Sequence, residues 1–368
     1  MEIPTVTPKF LITSGVLIGG AACCAFGTLD YVPAGTTYIA LCFVVRIFEG
    51  FGAASLMTAS FTIIAATFPD SVATSFSLME TAFGLGLIVG PTIGGALYQV
   101  GGFVLPFVIN GGFLLLGFII LVFLLPRTEG ERQNGPRNFC SFLFDGGILS
   151  YTFSIITCLL FIGFNSATLE PHLRQFNLTP VVLGVIFVIT GAIYAVTTPI
   201  WGKVCDVGGN PLFINLSGST MVCVGLLFIG PVPFLPFEAT LWTVIGSLVL
   251  IGFGLSAKLV SSFVGALKST ISRGFPDNLA TYGMVSALFS TSCSIGAFVG
   301  PSIGGLLLDT TGYRMGTVVI FALEAAFLII LLVYLFMVAL KKKDKEASER
   351  EALLPRTYAR RTYSYSSV

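Results

Sequence analysis

The sequence predicts an all-α polytopic membrane protein on three observations: its hydropathy, the length of its apolar runs and an internal repeat. Of its 368 residues, 55% are hydrophobic and only 10% charged. A soluble domain carries roughly 25% charged residues, so this chain lacks the material for a water-facing surface. Its apolar runs of about 20 residues suffice to cross about 30 Å of hydrocarbon. A backbone in lipid must satisfy its own hydrogen bonds, as a helix or a closed barrel, and runs this long without alternation mean helices. A net charge of +1 gives no sign of a nucleic-acid partner.

In chain order the runs place ten spans, at 10–29, 36–58, 74–99, 103–125, 148–172, 178–200, 211–230, 241–263, 281–307 and 315–340. The first lacks the short apolar core and small-residue cleavage site of a signal peptide. An even number puts both termini on one side of the membrane. The loops sort by charge: Lys9, Arg127, Arg132, Arg137, Lys203, Lys268 and Arg273 fall on one side, Arg174 and Arg314 on the other. The first side, which also receives Lys341, Lys342 and Lys343, is expected to be cytoplasmic. The sequon Asn177-Leu178-Thr179 then falls on the lumenal side, although Pro180 disfavours its glycosylation, whereas Asn215-Leu216-Ser217 lies inside a span. The eight cysteines sit in spans or on the cytoplasmic side, so no structural disulfide is expected.

Residues 68–74 read FPDSVAT and residues 275–281 read FPDNLAT; GLIVGPTIGG at 86–95 is answered by GAFVGPSIGG at 296–305. The offsets, 275 − 68 = 207 and 296 − 86 = 210, differ by less than one helical turn. Two matched segments in one order predict parallel repeats, as in transporters whose bundles rock about a central site. The expected organisation is an N-terminal bundle at 1–125, a cytoplasmic linker at 126–147, a six-helix bundle at 148–340 and a disordered cytoplasmic tail at 341–368. Applied to residue 1, the offset reaches Pro211, so the first bundle is expected to lack counterparts of the spans at 148–172 and 178–200, giving four helices plus six.

Each glycine segment, Gly86, Gly90, Pro91, Gly94 and Gly95, then Gly296, Gly300, Pro301, Gly304 and Gly305, leaves a strip of one helix face without side chains. Such a strip admits a close neighbour, and its proline favours a bend; tight packing and a gating bend both remain open. Charged groups inside a membrane are costly and usually functional. Arg46 and Glu49 share a face of the second span, as a structural ion pair or as working groups. Lys258 is expected to snorkel from the cytoplasmic end of its span. Glu80, Glu170 and Glu324 are read as carboxylates that are protonated, paired across helices or facing water. A carboxylate without a countercharge in low dielectric favours its neutral form, which suits a proton carrier or a ligand for a cationic substrate. His172, the only histidine, is a candidate acid sensor. No phosphate loop, metal cluster or nucleophile–base pair is present in the sequence, so neither an enzyme nor a cofactor is expected.

At these residues the sequence resembles the major facilitator superfamily. GLIVGPTIGG is similar to its fifth-helix antiporter motif, RIFEGFGAA at 46–54 to its fourth-helix motif, and GKVCDVGG at 202–209 to its conserved loop before helix nine. Within it the chain most resembles the vesicular amine transporters, those for polyamines above all, through FPDSVAT, Glu80 six residues before the glycine motif, Glu170 before Pro171, and GPVPFLP at 230–236. The resemblance implies a two-bundle fold and proton-coupled antiport of a small organic cation, polyamine or monoamine, into acidic secretory or endolysosomal vesicles. It also implies that Glu80 and Glu170 hold amine groups or protons, and that Arg46 takes part in proton transfer. A transporter of another solute, or a truncated membrane protein that does not transport, is the alternative. In the tail, Glu349, Leu353 and Leu354 fit an acidic dileucine signal read by clathrin adaptors, and Ser366-Ser367-Val368 fits a PDZ ligand.

Overall fold

Runs of apolar residues punctuated by Pro, Gly and short polar caps become helices throughout. The computed structural model describes residues 7–125, 142, 144–232, 236 and 238–353, with the backbone alone at 180, 181, 341, 342 and 344–353. The helices are α1 (Pro8–Thr28), α2 (Thr36–Thr67), α3 (Val72–Gly101), α4 (Val104–Leu124), α5 (Gly146–Leu173), α6 (Pro180–Asp206), α7 (Pro211–Ile229), α8 (Leu241–Ser272) and α9 (Leu279–Leu353). Among the described residues nine helices are long and apolar enough to cross a membrane. The sequence predicts ten because 281–307 and 315–340 read as separate spans. The count is nine because α9 runs through both of these spans; its two helical stretches meet at a kink at Gly312, where φ is 79° and ψ 170°, a conformation that glycine alone takes without strain.

The starts follow local chemistry. Pro occupies the first helical position of α1, α6 and α7, where its missing N–H costs nothing. Asp145 accepts from the Gly147 and Ile148 amides at the head of α5, and Thr240 with Thr243 forms a capping box on α8. The helix of α9 continues to Leu353, through residues 341–353 of the expected disordered tail. That stretch is rich in Lys, Glu and Ala, which are strong helix formers. Leu354 and the PDZ-like end lie outside the described residues.

α1 packs on α2 and α4, α3 on α6, α5 on α9 and α7 on α8. The most enclosed helix is α8, whose Leu248, Ile251, Val260 and Phe263 are all buried; α5, α6, α7 and α9 lie against it. The two glycine motifs separate here. A Cβ at Gly296 would lie 2.7 Å from the Leu159 side chain, and Gly300 sits against the Leu160 carbonyl and Gly163 of α5. Around Gly86, Gly90, Gly94 and Gly95 of α3, no described atom lies within 4 Å of such a Cβ.

Candidate transport site

Four phenylalanines of α2, α3, α8 and α9 pack together toward the end carrying Lys9, Lys203, Lys268 and Arg273. Phe61 of α2 and Phe76 of α3 meet Phe263 of α8 and Phe289 of α9, all within 2% of full burial. Each ring centroid lies 4.3–5.7 Å from the other three, and Phe76 stacks on Phe263 at 6°. Such pairs contribute about 0.5–1.5 kcal/mol each beyond their buried area, so parting the rings costs several of these increments together. Below them Asp206, at the end of α6, accepts from the Ala73 amide at 3.1 Å, the Thr74 amide at 2.8 Å and the Thr74 hydroxyl at 2.5 Å. Ser71 makes no cap of its own for α3, so the free amides and positive helix end are satisfied by a carboxylate from α6. The equivalent end of α9 is capped locally, the Thr281 amide donating to Asn278 Oδ1 at 3.0 Å.

One turn beyond Phe76 on the same face of α3 stands Glu80. Its side chain is 5% exposed, and its Oε2 accepts from the Tyr194 hydroxyl of α6 at 2.5 Å. Among the described residues no Lys or Arg forms an ion pair with it. Small residues allow the approach: a Cβ on Gly84 would lie 2.9 Å from the Tyr194 ring, and one on Gly202 would strike Ser77. Tyr194 also lines a cavity of ≈ 150 Å³ between α3, α5, α6 and α8, together with Phe83, Phe161, Phe187, Asn165 and Thr190. Aromatic faces with a carboxylate behind them form an environment for an ammonium group. Asn165 Oδ1 is buried and has no hydrogen-bond partner among the described residues.

The Major Facilitator Superfamily model matches residues 7–281, about three quarters of the chain. The chain belongs to the major facilitator superfamily. This facilitator is 34% identical over 361 residues to the human MFS-type transporter SLC18B1, covering 94% of this chain and 78% of that protein. It is 26% identical over 280 residues to the human synaptic vesicular amine transporter, covering 73% of this chain and 51% of the relative. The solved structure of the facilitator FucP superposes with a TM-score of 0.64 at 14% identity, over 90% of this chain and 84% of that one. Family and fold make the chain a multi-pass membrane transporter and not an enzyme.

The remaining charged groups of this facilitator fall into two kinds. Arg46 and Glu49 pair at 2.6 Å with side chains 51% and 31% exposed, and the guanidinium lies 4.0 Å over the Phe26 ring. Glu170 is not without a cation: Arg174, one turn on, grips it with two bonds of 2.9 Å at the far end of α5. Lys258 does not snorkel. Helix α8 runs nine residues past the predicted end of its span (272 − 263), which puts Lys258 near its middle and fully buried. There it forms an ion pair with Glu324 of α9, itself 3% exposed. His172 is 8% exposed and stacks on Tyr313 with centroids 3.9 Å apart.

Proposed function

We propose that this facilitator is a proton-coupled antiporter that moves a small organic cation into acidic vesicles, with 1–125 and 148–340 as the two bundles that rock about Glu80. The observation that carries the reading is Glu80 itself, a buried carboxylate facing a tyrosine hydroxyl and no ion-pairing cation among the described residues. Either a proton or a substrate ammonium neutralises it, but not both, and that exclusion is what antiport requires. The aromatic-lined cavity beside Tyr194 suits an alkyl chain bearing an ammonium. The four rings and the Asp206 clasp seal one end of the pathway, as alternating access requires. The relatives named for vesicular amine transport support the substrate class and the compartment. Arg46 with Glu49 would serve proton movement, Glu170 would contribute at the far end, and the tail signal at Glu349, Leu353 and Leu354 would engage clathrin adaptors.

The test is uptake of labelled polyamine and monoamine into proteoliposomes with an acid interior. Accumulation that collapses when the gradient is dissipated is expected. Accumulation that ignores the gradient would remove proton coupling, and absence of uptake of either amine would remove the substrate class.

A further inference from the structure

A fully buried lysine is the other exceptional group in the molecule. The Lys258 ammonium donates to Glu324 and, at 2.9 Å, to Thr157 Oγ1 of α5, and it lies 5.1 Å from the centroid of the Phe327 ring. Carboxylate, hydroxyl and aromatic face are the three kinds of partner that a primary ammonium group accepts, and here they come from two helices other than the lysine's own. The stem is guided as well. Gly218 of α7 leaves room for it, since a Cβ there would lie 2.9 Å from Lys258 Cγ. Asn215, buried and bonded to Ser154 at 3.0 Å and Ser262 at 2.7 Å, reaches the Lys258 carbonyl at 3.5 Å.

We propose that Glu324, Thr157 and Phe327 form a binding site for an unbranched primary alkylammonium, and that the protein fills it with its own Lys258. The lysine is a tethered ligand. Its fixed charge keeps Glu324 compensated, which removes Glu324 from proton and substrate traffic and leaves Glu80 as the buried carboxylate open to exchange. The inference concerns binding at this locus and stands apart from the transport reading.

The experiment is chemical rescue in purified protein. Lys258→Ala deletes three methylenes and the ammonium, the shape of n-propylammonium. Added n-propylammonium is expected to raise the melting temperature of Lys258→Ala by several degrees. It should leave the parent and the double variant Lys258→Ala with Glu324→Gln unmoved, and neutral propan-1-ol should not substitute. If Lys258→Ala is not recovered in folded form, recovery from cells grown with and without n-propylammonium becomes the readout, and rescue by the amine is expected. No rescue in either format would overturn the proposal. So would equal stabilisation of the double variant, which would show binding indifferent to the carboxylate.

Discussion

The Tyr194 hydroxyl and the Glu80 carboxylate meet at 2.5 Å between α6 and α3, one turn beyond the packed phenylalanines. The pair joins the two helices, so whatever occupies Glu80 is felt by both. Glu80→Gln keeps the shape and a hydrogen-bonding group but cannot ionise. It should abolish proton-driven uptake while the protein remains folded and inserted. Tyr194→Phe deletes one hydrogen bond to a chargeable group, worth about 1.5–3 kcal/mol, and should slow uptake about tenfold or more. Unchanged gradient-driven uptake in both variants would exclude the pair from coupling.

Asp206→Asn leaves the amides of Ala73 and Thr74 with a weaker acceptor and takes away the negative charge that faces the start of α3. The sealed end should then open more often. Cys293 lies one turn beyond Phe289 on α9, behind the rings. With Cys293 as the sole remaining cysteine, a membrane-impermeant thiol reagent added from the Lys268 side should label Asp206→Asn several-fold faster than its parent. Equal labelling rates would mean that the clasp does not hold the gate.

The two glycine motifs are near-copies in sequence and differ in surroundings. Gly300→Ala places a methyl against the Leu160 carbonyl and should cost about 1–3 kcal/mol by overpacking. Gly90→Ala meets no described atom within 4 Å and should leave thermal stability unchanged or slightly raised. Melting curves of the two variants separate them, and equal losses would contradict the packing described for α5 and α9.

The dileucine is tested by location. Leu353→Ala with Leu354→Ala should move the protein from internal vesicles toward the cell surface, as seen by surface biotinylation. An unchanged distribution would make the sequence match fortuitous.

The helices and the buried charge of Glu80 were legible because each is written locally, in apolar run length and in a carboxylate with no cation beside it. Arg174 is equally local, four residues from Glu170, and reading Glu170 as a carboxylate without a nearby cation overlooked it. The partner of Lys258 was not, because Glu324 lies 66 residues away and only packing of α8 on α9 brings them together. The sealing rings were hidden among 34 phenylalanines. At the motif offsets, 61 and 76 fall on 268–271 and 283–286, where no phenylalanine stands, so the repeat does not mark them. Asp206 was visible as part of a motif, but its hold on α3 was not, since the groups it grasps include main-chain amides that every non-proline residue carries.

That last point reaches into genetics. At residue 73 the group offered to Asp206 is an amide, and at residue 74 an amide reinforced by a hydroxyl. Residues at 73 keep that amide whatever their side chain, so covariation with Asp206 would stay weak, while the full burial of Ala73 restricts the position to small residues for packing reasons alone. Proline at 73 is the exception, because it alone deletes the donor. A joint between α3 and α6 can thus rest on a side chain at one face and on the main chain at the other, and surveys that weigh side chains alone will undercount it.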